Sequence, residues 1–160
     1  MGIKILSRWD GSLLREVDST SLYGANLSGA DLSGANLRSA NLSGANIEKA
    51  LLSAFLIVPQ EGAFIGWKKL YNKNTPIIAK LGISRKARRT STLVGRKCRA
   101  EYAKVLWLSE GTEAYSQHDP QFKYTVGKIV RPDCYNDDIR VECSNGIHFF
   151  ITKQEAVDYV

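Results

Sequence analysis

Residues 80–104 read KLGISRKARRTSTLVGRKCRAEYAK and hold nine basic side chains against one acidic group, Glu101. Arg85, Lys86, Arg88 and Arg89 make one cluster, and Arg96, Lys97 and Arg99 another. Guanidinium forks hold phosphate oxygens bidentately, and Thr90, Ser91 and Thr92 add hydroxyl donors. Elsewhere the excess is small, absent or reversed: residues 1–58 carry five basic and five acidic groups, residues 59–79 three against one, and residues 105–160 five against nine. The net charge of +6 therefore has a local source, which points to a site for anions. The plainer alternative is a solvated stretch that pairs with the acidic C-terminal third.

The composition of the stretch bears on which anion it takes. Nucleic-acid binders interleave basic groups with exposed aromatics, and between Lys80 and Lys104 the only aromatic is Tyr102. Trp67, followed by Lys68 and Lys69, and Trp107 could converge on it only in three dimensions. A compact phosphorylated molecule is thus as well supported as a polynucleotide. Neither a Walker A pattern nor G-x-G-x-x-G is present. The expected ligand-binding residues are Arg88, Arg89, Arg96, Lys97 and Arg99, with Trp67, Lys68 and His148 as neighbours.

Other chemistries are weaker. Cys98, Cys134, Cys143 and His148 lack the paired spacing of zinc ligands, since no C-x-x-C occurs. Reduced cysteines buried in a β core are expected instead, and no metal or cofactor. A Cys143–His148 nucleophile pair is conceivable, but no orienting carboxylate or oxyanion feature accompanies it. No E-x-E of the kind seen in NAD-consuming transferases follows the STS or TST strings. The expectation is that no residue is catalytic.

The elements that position these residues are short. AFIGWKKL, TPIIAKLGI, AKVLWLS, KYTVGKIV and GIHFFI read as strands. Ser144-Asn145-Gly146 reads as a turn with Gly146 at positive φ. SEGTEAYSQHDPQ (109–121) reads as a polar loop. At the end, Thr152 with Glu155 three residues later makes a capping box for a terminal helix. A small β-rich α+β domain over 58–160 follows.

The first third is different. LYGANLSGADLSGANLRSANLSGANIEKALLSA (22–54) repeats A-(N/D)-L-x-x every five residues. A step of five rotates a helical side chain by about 140° and flips a strand residue to the other face. Neither element keeps Leu27, Leu32, Leu37, Leu42 and Ile47 on one side, so the chain must turn a corner in every repeat. The alanines then face inward with the leucines, and the Asn/Asp positions suit the corners.

This run resembles the pentapeptide-repeat family, whose fold is a right-handed square β-helix with four repeats per coil. The resemblance implies that Leu22 stacks on Leu42, Leu27 on Ile47 and Leu32 on Leu52. Seven central positions make fewer than two coils, and the repeat charges Asp31, Glu48, Arg38 and Lys49 cancel. Imitation of DNA, known for long members of the family, is therefore not expected, and the run reads as frame. IKILSRWDGSLLREV, with Asp10-Gly11 at its centre, reads as a capping hairpin over 1–19. The β-helix is assigned to 20–57, with AFLIVP (54–59) leading onward.

The second half, in GRKCRAEYAKVL, YTVGKIVRPDCYNDDIRVEC and CSNGIHFFITKQEAVDY, resembles an uncharacterised domain that follows pentapeptide repeats in proteins of bacteriophages and large DNA viruses. That resemblance implies a viral or bacterial setting and brings no activity. No stretch is apolar and long enough for a signal peptide or a membrane span, so a soluble, cytoplasmic protein is expected, in host cytoplasm if phage-encoded.

Taken together, the sequence reads as a mainly β, non-enzymatic binding module for a phosphate-bearing ligand, with capture of a host nucleotide signal as a coherent role. The alternatives are a nucleic-acid-binding accessory protein, an adaptor that docks on a host protein or dimerises through the β-helix end as a homo-oligomer, and, last, a Cys/His enzyme.

Overall fold

The computed structural model describes residues 2–7, 9–32, 35–37, 40–48, 50 and 56–160. Arg38, Lys49, the proposed Leu32–Leu52 stack and the start of AFLIVP fall outside them. The chain forms two compact units. The first comprises Met1–Ile57, Ser91–Arg96 and Asp138–Cys143; the second comprises Val58–Thr90, Lys97–Asp137 and Ser144–Val160.

In the first unit the period of five is a period of corners. In each repeat the N–H of an alanine bonds the carbonyl of the central residue three positions earlier, as in Ala25 to Leu22, Ala30 to Leu27 and Ala45 to Leu42. Gly24, Gly29 and Gly44 sit third in such turns at φ of 66°, 66° and 71°, a conformation that costs glycine nothing. Leu27, Leu32, Leu37 and Leu42 point inward and are buried with Ala25, Ala30, Ala35 and Ala45. Outward, the side-chain oxygens of Asn26, Asn41 and Asn46 accept the N–H two residues on, closing Asx turns. Asn26 and Asn46 form a parallel bridge, and the Asn46 N–H bonds Ala25 while the Leu27 N–H bonds Asn46. Neighbouring coils are thus offset by four repeats, the geometry of a square β-helix.

The hairpin of β1 (Ile3–Leu6) and β2 (Leu13–Val17) is antiparallel, from Ile3 opposite Val17 to Leu6 opposite Leu13. Ile5 enters the same core as the repeat leucines. So does Leu93, with Val94 and Ile139 packed against that core. The two distant segments are fastened there: the Leu93 N–H bonds the Ile139 carbonyl, and Arg140 donates to the Ala45 carbonyl at 2.7 Å while gripping the Asp138 carboxylate. The repeat unit is built from three stretches of chain.

The second unit is dominated by β3 (Phe64–Asn72) and β4 (Thr75–Ile83), paired without interruption from Phe64 opposite Ile83 to Asn72 opposite Thr75. Lys73, at φ 54°, supplies the left-handed residue that so tight a hairpin requires. Ile77, Ala79, Leu81 and Ile83 alternate into the core. The segment 109–121, expected as a loop, contains strand β8 (Glu113–Tyr115). Only Ala114 of it is buried, so the polar residues around it hid the strand.

KYTVGKIV breaks in two at Gly127 (φ 83°), giving β9 (Lys123–Thr125) and β10 (Ile129–Val130). With β7 (Ala103–Leu108), the described strands order as β10-β7-β4-β3-β8-β9, so the two pieces lie at opposite edges. Within the basic stretch lie β5 (Arg89–Ser91) and β6 (Cys98–Ala100); with β11 (Ile147–Phe149) they form a sheet ordered β11-β6-β5. Phe149 fills the space over Gly66, where a Cβ would come 2.5 Å from its ring. Helix α1 (Lys153–Asp158) begins at Thr152 with the full capping box to Glu155.

Candidate functional site

The basic stretch does not form one continuous patch. The Arg88 side chain is exposed, 3.7 Å from the Glu101 carboxylate and with its guanidinium 5.0 Å from the Tyr135 ring. Arg131 binds the same carboxylate at 3.0 Å. Although burial opposes ionisation there, the Arg88 N–H and the two guanidinium groups hold Glu101 below the usual carboxylate range. Arg89 donates to the carbonyls of Gln60, Gly62 and Ser84 at 2.7–3.1 Å, binding a loop to the domain. Arg96 belongs to the repeat unit and Lys97 to the second unit. Thr90, Ser91 and Thr92 are buried, Thr90 in the second unit and the other two in the first.

A different group of the expected residues meets inside the second unit. Arg99 is fully buried and donates through Nε to the Asn136 carbonyl at 3.1 Å. Gly146, at φ 149°, makes room for its stem: a Cβ there would lie 3.1 Å from Arg99 Cβ. Directly opposite Arg99 across the β6–β11 pair stands His148. Lys97 donates to the Tyr159 hydroxyl at 3.0 Å with its ammonium over that ring.

Lys68 follows Trp67 on β3 and therefore takes the other face of the sheet. It pairs with buried Ala79, and its ammonium lies 5.9 Å from the ring of buried Tyr124. Trp67 pairs with Lys80 on the opposite face. Trp67 therefore does not share a face with Lys68.

The electrostatics of this group are one-sided. Burial, and after it the charge of Lys97, lowers the Lys68 ammonium to about 8. Burial likewise lowers the His148 imidazole to about 3, with Lys68, Lys97, Arg99 and His118 adding to the effect. Every charge acting on His148 is cationic, and Lys68 has no ion pair among the described residues. The His148 Nε2 atom is buried and has no hydrogen-bond partner. Tyr135 Oη is in the same condition, and it too feels Arg99. Buried polar atoms rarely go unpaired, because each costs about 1–3 kcal/mol. Cations gathered around an unsatisfied nitrogen can stabilise an anion with several acceptor oxygens.

The other candidates fare differently. Cys98 is buried, whereas Cys134 and Cys143 are exposed, correcting the expectation of three core thiols. The sequence segments at Cys134 and Cys143 are short loops with no strand to bury them. Cys143 lies in the repeat unit and His148 in the second unit. Among the described residues no three His, Cys, Asp or Glu side chains gather as a metal set. Among the described residues no helix is long and apolar enough to cross a membrane. Sequence reasoning missed the buried state of Arg99, the inward face of Lys68 and the orphaned Tyr135; the alternation of β3 was the available signal for Lys68.

Comparison with known proteins divides the chain by sequence near residue 54, so that segments 91–96 and 138–143 of the repeat unit fall within the second match. Residues 19–53 match the pentapeptide repeats, and residues 54–156 match a family of unknown function, DUF5758. No curated protein and no solved structure matches the chain significantly. Since the second match covers most of the sequence, the chain belongs to the DUF5758 family, carrying a short pentapeptide-repeat β-helix ahead of that domain.

Proposed function

We propose that the second unit is a non-enzymatic binding module that holds a phosphate-bearing small molecule at Lys68, Lys97, Arg99 and His148. The observation that carries this reading is the buried, unpartnered Nε2 of His148, with only cations acting on it. A phosphate oxygen would accept from Nε2, and the doubly charged group would offset the repulsion between Lys68 and Lys97. Desolvated, hydrogen-bonded cations bind phosphate more strongly than surface charges do. Arg88 and Arg89 are assigned supporting roles, because Glu101 and three carbonyls already engage them. The repeat unit serves as frame. In the phage setting that the sequence resemblance implies, the ligand would be a host nucleotide signal, sequestered in the cytoplasm.

The test is chemical. Protein purified under native conditions from its own cellular background is denatured, and the released small molecules are identified by mass spectrometry. Calorimetry then compares the ligand's binding to the intact chain and to Lys68→Met. A released phosphate ester that binds the intact chain and not the variant supports the proposal. A bare protein that takes up neither inorganic phosphate nor nucleotides would overturn it.

A further inference from the structure

The face of the six-stranded sheet opposite Lys68 carries a second arrangement, independent of the His148 cluster. Trp67 on β3 pairs with Lys80 on β4, and Lys80 pairs with Trp107 on β7. Cross-strand partners share a face, so two indoles bracket a lysine, about 10 Å apart at two strand spacings. The Lys80 ammonium lies 5.9 Å from the Trp67 ring, and the Lys153 ammonium, from α1, lies 6.0 Å from Trp67 and 5.8 Å from Trp107. Four residues along β3 from Trp67, and so on the same face about 13 Å away, Tyr71 pairs with Tyr115 of β8. These two tyrosines, with Lys73 and Gln117, line a cleft of about 470 Å³.

Four aromatic rings therefore share one sheet face, with ammonium groups beside the indoles and at the cleft. Such a face could simply be the wall on which α1 rests. Two features argue for an occupant. Trp107 remains 43% exposed, and Leu106 beside it 40%. The charge is also lopsided: among the described strand residues of this face Lys69, Lys80, Lys104 and Lys123 stand against one acid, Glu113, which Lys123 already bridges at 3.2 Å. Rings with flanking lysines present a base-stacking surface and a phosphate-binding surface together, the combination that single-stranded nucleic acid requires. A duplex cannot use the rings, because its bases are already stacked. A protein partner would place acidic groups on the lysines and gain little from the indole spacing.

We infer that this face, centred on Trp67, Lys80, Trp107, Tyr71 and Tyr115, is a stacking platform for single-stranded nucleic acid. Bases stack on the indoles and in the Tyr71–Tyr115 cleft, and the backbone runs over Lys80 and Lys104. Lys153, on a flexible stem, exchanges its place over the indoles for a phosphate.

Fluorescence anisotropy of a labelled single-stranded DNA of about 15 nucleotides, read at about 50 mM salt on the full chain, tests this. The intact chain should bind it and should prefer it to the same sequence as a duplex, with affinity falling linearly on a log–log plot against salt. Trp107→Ala should weaken binding about 10-fold. Tyr115→Ala should weaken it as well, from a separate point on the face. Lys68→Met, on the other face, should leave it unchanged, which separates this platform from the proposed phosphate pocket. Absence of binding, equal affinity for duplex and single strand, or unaltered binding by both aromatic variants would each overturn the inference.

Discussion

His148 on β11 stands directly across the sheet from Arg99 on β6, and the imidazole stays neutral because burial and a ring of cations oppose its protonation. Arg99 is wholly buried and tethered to a backbone carbonyl, so its charge cannot swing away to solvent. The pair fixes a positive potential at a place where His148 Nε2 has no partner.

Lys68 should be a liability to the empty fold. With its ammonium lowered from 10.5 to about 8, keeping it charged at neutral pH costs ~3 kcal/mol. Replacement by methionine keeps the stem and removes the charge. Lys68→Met should therefore raise stability in urea unfolding by about 1–3 kcal/mol while abolishing phosphate binding. A destabilised variant would show that the lysine is a structural group.

The same residue gives binding a pH dependence. In the free protein Lys68 loses its proton near pH 8, so phosphate affinity measured by calorimetry should fall as pH rises through 8. Bound phosphate favours the ammonium, so binding should also take up protons near that pH, seen as a dependence of the measured heat on buffer ionisation enthalpy.

His148 sets the acid limb of stability. Its imidazole titrates near 6.5 when unfolded and near 3 when folded. Between those values the unfolded chain binds a proton that the folded chain refuses. The contribution is complete above pH 6.5 and is lost as pH falls from 6.5 towards 3, at up to about 1.4 kcal/mol per pH unit. His148→Gln should flatten that limb in denaturation measured between pH 4 and 7.

Much of this architecture was written in the sequence, for reasons that differ between the two units. A five-residue period leaves no regular element to satisfy it, so corners and inward leucines were forced. β4 was legible because Ile77, Ala79, Leu81 and Ile83 alternate cleanly. The site was less legible. β5 and β6 are three residues each, too short for a pattern, and Arg99 in β6 looked like surface charge when its guanidinium is the most enclosed cation of the group. Nor does the sequence give any reason to place Leu93 and Ile139 with the repeat leucines, since that contact joins segments far apart in the chain.

That long-range contact makes its own prediction. Leu93→Ala should destabilise the repeat unit about as much as Leu27→Ala, by about 2–5 kcal/mol, because both are buried in one core. Hydrogen exchange at Gly24 and Asn46, whose amides bond across to the neighbouring coil, should accelerate in both variants. Slow exchange retained in Leu93→Ala would separate residues 91–96 from the repeat core.

Packing in the second unit can be probed at Gly66, whose missing side chain admits Phe149. Gly66→Ala should cost about 1–3 kcal/mol through forced displacement of the ring, read as a lowered midpoint in urea. Gly62, where a Cβ would meet nothing, is the contrast in free space, although its φ of 71° penalises alanine for a separate reason.

The most direct test of the central claim is a titration of the intact chain with inorganic phosphate, followed through the imidazole nitrogens of His148 by NMR. An occupied site predicts a saturable shift at His148, larger than at His118, together with a rise of the His148 pKa from about 3 towards its ordinary value; both effects should vanish in Lys68→Met. An imidazole that ignores phosphate while the protein remains folded would contradict the account.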